Sequence, residues 1–213
     1  MSIVVERRGL SGRLEGEGPP PNLYYDRNFG MEAVKILPGE FYATGRDRVL
    51  VTVLGSCVTA CVRDPLSGIG GINHFMLPEN GDEQDRECAP SARYGVHAME
   101  MLLNELVKLG ARRNALEAKV FGGGNVMPGM QQANVGARNA EFVLDFVERE
   151  GIPLLAADLL DDYPRKVYYF PRSGRALVRK LRTVQNSTIA ARELDYRRRL
   201  ATTPVAGQVE LFS

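Results

Sequence analysis

Val49-Leu50-Val51-Thr52-Val53-Leu54-Gly55-Ser56-Cys57-Val58-Thr59-Ala60-Cys61-Val62, with Asp64-Pro65-Leu66-Ser67-Gly68 and Ile69-Gly70-Gly71-Ile72-Asn73-His74-Phe75-Met76-Leu77 after it, is the stretch that decides the fold. Its first six residues are β-branched and apolar, bounded by Arg46-Asp47-Arg48 before and by glycine after. They are too short for a helix and read as a buried strand. Val58 to Val62 continues extended, Asp64 to Gly68 has turn chemistry, and the chain then runs back until Pro78, which predicts a hairpin. Gly55 suits a bulge or a close backbone approach beside Cys57.

With the turn centred near Leu66, Cys57 and His74 fall opposite each other to within about one residue, where side chains on one face of a strand pair lie roughly 5 Å apart. An imidazole beside a thiol takes its proton, holds the thiolate as an ion pair and then protonates a leaving amine. Such a pair points to acyl transfer, meaning amide hydrolysis, deamidation, ester hydrolysis or transamidation, rather than to redox work. Free cysteine is also among the most buried residue types. Cys61 shares the strand parity of Cys57, so alternation alone does not choose between them.

Further along, Met99, Leu102, Leu103 and Leu106 form one apolar stripe of a helix that Ser91 would cap and Gly110 would stop. Leu116 to Phe121 reads as a strand, Val135 to Glu150 as a helix ended by Gly151, and Ile152 to Ala157 as a strand. Lys166 to Phe170 and Ala176 to Leu181 read as a hairpin around Pro171-Arg172-Ser173-Gly174. Two main helices with several hairpins predict an α+β layered domain. The division is a poorly ordered N-terminal arm over 1–30, rich in glycine, proline and charge, a catalytic domain over 31–182, and a tail over 183–213 with a short helix from Ile189 to Leu200. Acidic Glu79 to Pro90, with an exposed Cys88, reads as a solvated loop beside the His74 strand.

The chain has 213 residues and a net charge of +1, which bounds it to one sizeable domain and gives no footprint for nucleic acid. Three cysteines without metal-ligand spacing argue against a disulfide framework and a zinc site. No apolar leader or membrane span is present, so a cytoplasmic protein is expected. Gly122-Gly123-Gly124 lacks the Gly-Lys-Ser/Thr ending of a phosphate loop, and no cofactor is implied. His97, alone in a helix, reads as structural.

Leu54-Gly55-Ser56-Cys57-Val58, Arg63-Asp64-Pro65 and Gly70-Gly71-Ile72-Asn73-His74-Phe75-Met76-Leu77-Pro78 resemble the signature of the CheD family, the chemoreceptor glutamine deamidases of bacterial chemotaxis. Arg93-Tyr94-Gly95, Lys119-Val120-Phe121-Gly122-Gly123 and Val135-Gly136-Ala137-Arg138-Asn139 extend the match, which runs from about Arg48 to about Leu181. The resemblance implies hydrolysis of glutamine side chains of methyl-accepting chemotaxis receptors to glutamate and ammonia. It implies Cys57 as the nucleophile that forms a thioester, His74 as base and then acid, and Thr52 as third catalytic residue. Ser56, Asn73, Phe121, Gly122 and Gly123 would bind substrate. Backbone N–H groups near Ser56 and Cys57 are the expected oxyanion donors. Also implied are an α/β sandwich of mixed and antiparallel sheets, similar to the deamidase domain of cytotoxic necrotizing factor toxins, a methylesterase side activity by the same route, and an alternative role as binding partner of a CheC-type phosphatase of the response regulator. After Asp158 this chain departs from the family, with Leu159-Leu160-Asp161-Asp162 where relatives tend to have paired glycines.

Overall fold

The computed structural model describes residues 22–78, 90–126, 135–181 and 186–202. Among these residues ten strands form two five-stranded sheets. The first takes β1 (Leu23–Asp26), β2 (Met31–Lys35), β4 (Val49–Leu54), β9 (Arg165–Phe170) and β10 (Arg175–Lys180), in that spatial order. The second takes, in spatial order, β3 (Phe41–Thr44), β6 (Gly70–Asn73), β5 (Val58–Arg63), β7 (Glu117–Gly122) and β8 (Leu154–Leu159). Each is mixed: β2 runs parallel to β4, β7 runs parallel to β8, and the other pairs are antiparallel.

Side-chain alternation builds three layers from these sheets. Val58, Ala60 and Val62 of β5 point to one face of the second sheet, where they pack with Met99, Leu102, Leu103 and Leu106 of α1 (Pro90–Lys108) and Val143 and Val147 of α2 (Val135–Arg149). Cys57 and Cys61 point the other way and meet Leu50 and Leu54 of β4 and Val167 and Tyr169 of β9 between the two sheets. The core is therefore sheet on sheet with helices on one outer face, the α+β layered sandwich expected from the sequence. The predicted apolar stripe of α1 is its buried face, although the helix begins at Pro90 and so includes Ser91. The β5–β6 hairpin and the β9–β10 hairpin are both present.

Several expectations need correction. Val49–Leu54 is not continuous with the hairpin: β4 and β5 belong to different sheets, and the chain crosses between them at Gly55-Ser56-Cys57. Leu23–Asp26, inside the stretch expected to be an unstructured arm, pairs with Met31–Val34 as an antiparallel ribbon, because β2 needs a partner on the side away from β4. The tail helix, α3 (Asn186–Thr202), is longer than Ile189 to Leu200. The acidic loop with Cys88 lies outside the described residues.

Glycines hold the crossing in place from the far side. Gly123 N–H donates to Cys57 O at 2.8 Å and Gly124 N–H to Gly55 O at 2.7 Å. Gly122 has φ +115°, and a Cβ there would stand 2.2 Å from Cys57 O. In the segment after Asp158, Leu160 (φ 67°) and Asp161 (φ 68°) adopt left-handed backbone, a conformation that costs an L-residue about 1–2 kcal/mol. The segment holds that shape because Leu160 N–H bonds Gly122 O and Asn125 N–H bonds Asp161 O, at 2.8 and 2.7 Å.

Two substitutions therefore have opposite signs. Gly122→Ala is expected to lower unfolding stability by about 3 kcal/mol or more, since it combines left-handed backbone with a clash against backbone. Exposed Leu160→Gly is expected to be neutral or to gain up to about 1 kcal/mol. Urea unfolding of the two variants checks both; a Gly122→Ala protein as stable as the parent would contradict the packing described.

Candidate functional site

The crossing leaves three consecutive amides outside both sheets, and their N–H groups converge on one carboxylate. Gly55 N–H donates to Glu193 Oε1 at 2.8 Å and Ser56 N–H to Oε2 at 2.9 Å, and Cys57 N–H donates to Oε1 at 3.2 Å. The Ser56 hydroxyl adds a fourth donor to Oε2 at 2.7 Å. Successive N–H groups arranged this way form an anion-binding nest. Glycine at 55 is required for it: a Cβ there would fall 2.8 Å from Glu193 Oε2, in the space the carboxylate occupies. The expected close approach at Gly55 is thus to a carboxyl group.

The nest is clamped from behind by Asn139 of α2. Its Nδ2 donates to Ser56 O and its Oδ1 accepts from Leu77 N–H, both at 2.8 Å, so one buried carboxamide ties the crossing to the strand that carries His74. Val58 and Phe75 exchange backbone hydrogen bonds of 3.0 and 3.1 Å, which continues the β5–β6 register. Cys57 therefore stands opposite Met76, and His74 lies diagonally across, two residues from the expected pairing. A shift of two keeps parity, so both side chains project from the same face, into the space between the sheets, and diagonal neighbours remain within reach of long side chains.

Thr52 reaches the same place from the first sheet. Its Oγ1 lies 2.9 Å from Ile36 O and 2.8 Å from His74 Nδ1. The carbonyl can only accept, so the single hydroxyl proton goes to Ile36 and the hydroxyl oxygen accepts from Nδ1–H. That assigns the tautomer: His74 carries its proton on Nδ1 and a lone pair on Nε2, and Nε2 is buried without a hydrogen-bond partner among the described residues. An imidazole whose far nitrogen is oriented by a fixed acceptor is the arrangement of a general base.

Cys57, His74 and Glu193 are 0, 1 and 2 % exposed. Burial lowers the His74 pKa to about 4, partly offset by the Glu193 carboxylate, so the imidazole is neutral at pH 7. The Cys57 thiol is pushed well up, first by burial and then by the charge of Glu193 and a hydrogen bond to it. As it stands the thiol is protonated. Cys61, buried between the sheets, is also pushed up by desolvation.

Of the residues singled out from sequence, Cys57, His74, Thr52 and Ser56 come together. Asn73 does not join them: it points to the helix layer, where Oδ1 accepts from Ala60 N–H at 2.9 Å and Nδ2 donates to Ala98 O at 3.2 Å. Gly122 and Gly123 support the crossing through backbone rather than lining a pocket, and Phe121 is packed in the inter-sheet core. Sequence reasoning misses Asn139, although its motif stands out, and Glu193, which nothing near Cys57 in the sequence announces. Ile36 and Leu37, beside His74, face Ile189 and Glu193 across a cleft of about 20 Å³.

The family described as CheD chemotactic sensory transduction matches residues 76–180. A probable chemoreceptor glutamine deamidase CheD 1 of Dechloromonas aromatica (strain RCB) is 61% identical over 191 residues, covering 90% of this chain and 94% of that protein. A probable chemoreceptor glutamine deamidase CheD of Laribacter hongkongensis is 54% identical over 204 residues, covering 96% of this chain and 98% of that protein. These alignments leave out too little of the chain to exclude Thr52 to His74. The hypothetical protein YfiH of Bacillus licheniformis is a distant structural match, with TM-score 0.35 and 14% identity over 57% of this chain and 51% of its own.

The raised thiol pKa has a measurable consequence. Alkylation of Cys57 by iodoacetamide is expected to keep rising through pH 9 without a plateau near neutrality, because a thiolate beside the Glu193 carboxylate is disfavoured until alkaline pH. A plateau below pH 7, read by peptide mass spectrometry, would mean that the buried thiol is already ionised.

Proposed function

The chain belongs to the CheD family, and we propose that it deamidates glutamine side chains of methyl-accepting chemotaxis receptors, acting from the cytoplasm through a Cys57 thioester. The observation that carries this reading is the nest. Three amides and a hydroxyl converge on a carboxyl group beside the Cys57 thiol, which is the chemical environment of a glutamate product.

In the proposed reaction the glutamine carbonyl oxygen takes the place of Glu193 Oε1, between Gly55 N–H and Cys57 N–H. His74 Nε2 removes the thiol proton as Sγ attacks the carboxamide carbon, and negative charge develops on an oxygen already facing two donors. A donor of this kind is commonly worth about 3 kcal/mol in the transition state. The imidazolium passes its proton to the nitrogen, the C–N bond breaks, ammonia leaves and a γ-glutamyl thioester remains on Cys57. Water, deprotonated by Nε2, attacks the thioester, the C–S bond breaks, and the Cys57 sulfur takes back the proton from His74. The product acid releases its proton to solvent, and the resulting carboxylate gains Ser56 N–H and Oγ–H as further donors.

Thr52 acts on His74 and not on the substrate. Its bond to Nδ1–H holds the ring so that Nε2 keeps the lone pair, and the bond from Thr52 to Ile36 O fixes the hydroxyl itself. Asn139, Gly122 and Gly123 support the crossing. Methyl ester hydrolysis by the same thioester route and an association with a CheC-type phosphatase are secondary proposals, the latter separated from deamidation because adaptor work releases no ammonia.

A receptor cytoplasmic fragment incubated with the protein is expected to convert particular glutamines to glutamate with equal release of ammonia, and Cys57→Ala is expected to abolish both. Persistent activity in Cys57→Ala would overturn the mechanism. Thr52→Val should lower kcat by about 10²-fold, within the range of general base catalysis, with KM little changed. A loss confined to KM would mean that Thr52 contacts substrate instead.

A further inference from the structure

The group in the nest belongs to the chain itself. Glu193 lies on α3, far along the sequence from Cys57, and Ile189, Glu193 and Tyr196 are its buried residues, with Leu200 half-buried. Their spacing of four, three and four puts them on one helical stripe. Tyr196 packs in the inter-sheet cluster, its hydroxyl 2.5 Å from that of Tyr94 on α1, and its ring lies so close to Gly39 that a Cβ there would meet it at 2.9 Å. Ile189 closes the cleft beside Ile36 and Leu37. A helix thus lies across the opening between the sheets and inserts one side chain of glutamine length to the thiol.

We infer that α3 is a product-like plug: it occupies the groove of a substrate helix, with Glu193 in the place of the reacting glutamine side chain. The inference rests on the deamidase reading and adds the shape of the substrate. The groove takes an α-helix whose glutamine sits between an apolar residue four positions before it and an aromatic or apolar residue three positions after it. It also adds regulation, since the enzyme as folded is closed and works only when a receptor helix displaces its own.

The hydrogen bonds say why the plug resembles product. Both oxygens of Glu193 face donors only: Oε1 meets two N–H groups, and Oε2 meets Ser56 N–H and Ser56 Oγ–H. A carboxylate, which only accepts, satisfies all four. A carboxamide would turn an NH₂ toward Ser56 N–H, donor against donor, and only the serine hydroxyl could rotate to accept from it. The carboxylate also adds to burial in raising the pKa of the adjacent thiol, a contribution that a neutral carboxamide would not make. Closed and inert are therefore the same state.

Glu193→Gln and Glu193→Ala test the plug in the full chain. The Glu193→Gln variant preserves side-chain shape and helix propensity, so the test survives if Glu193→Ala folds poorly. In Glu193→Ala, iodoacetamide modification of Cys57 and deamidation of a receptor cytoplasmic fragment are both expected to rise at least about tenfold over the parent, as the competent fraction grows; Glu193→Gln returns to the parental rates as its carboxamide is converted. In Glu193→Gln the introduced carboxamide is itself a substrate: Cys57 Sγ bonds its carbon, ammonia leaves with the proton from His74, and water restores a carboxylate. Peptide mass spectrometry should show that conversion, and its loss when Cys57→Ala is added.

Cys57 modification at the parental rate in both folded variants would overturn the plug. So would a Glu193→Gln protein that deamidates the receptor fragment while its own introduced carboxamide stays unconverted over the same period. Self-conversion of Glu193→Gln and faster alkylation, without deamidation of any receptor fragment, would uphold the plug and discard the receptor reading. Equal receptor deamidation by parent and variants would do the reverse.

Discussion

A chain that leaves one sheet for another takes its amides out of both hydrogen-bond ladders at the crossing, and buried amides need acceptors. Everything in this site depends on how Gly55, Ser56 and Cys57 meet that constraint. Their carbonyl side is satisfied by protein: Gly55 O and Cys57 O by the amides of Gly124 and Gly123, Ser56 O by Asn139. Their N–H side is left pointing together, toward whatever carboxyl or carboxamide group reaches it. Cys57, the proposed nucleophile, is the last residue of that crossing, so the anion-binding nest and the thiol share one turn of backbone.

The two sheets then divide the remaining work. The second sheet carries Cys57 and His74 on neighbouring chains, with parity putting both between the layers. The first sheet supplies Thr52, the inward residue of β4, to hold His74 Nδ1–H. The proposed base is set across the sandwich interface, so packing of Leu50, Leu54, Val167 and Tyr169 between the sheets determines where the lone pair of Nε2 lies. The low His74 pKa and high Cys57 pKa have one origin in that dry interior, reinforced for the thiol by Glu193. Displacement of a carboxylate by a neutral carboxamide removes the charge that reinforces burial in raising the thiol pKa and leaves the imidazole neutral.

Much of this is legible in the residues. The β-branched run at 49–54, the turn residues at 64–68 and the helical stripe through Met99 and Leu106 encode local structure strongly, and they appear as read. The cysteine and histidine are legible as a pair because they lie close in sequence, yet the hairpin register is off by two, which period-2 alternation forgives. The break between β4 and β5 is not legible, since a strand that changes sheets has the same local composition as one that continues. Asn73 looks like a site residue because it precedes His74, and that adjacency is the reason it faces away. Asn139 and Glu193 act over more than eighty residues of separation, and nothing in local propensity marks a glutamate on a charged helix as one that enters a buried nest.

The central claim is that Cys57 bonds covalently to the glutamine carbon while the nest holds its oxygen. The most direct measurement is rapid acid quenching of the protein during turnover of a receptor cytoplasmic fragment, followed by mass spectrometry of the peptide that contains Cys57. The account predicts a hydroxylamine-labile receptor adduct on Cys57, absent in Cys57→Ala. Turnover with ammonia release but no adduct on Cys57 at any quench time, in a protein whose His74→Ala variant accumulates none either, would contradict it.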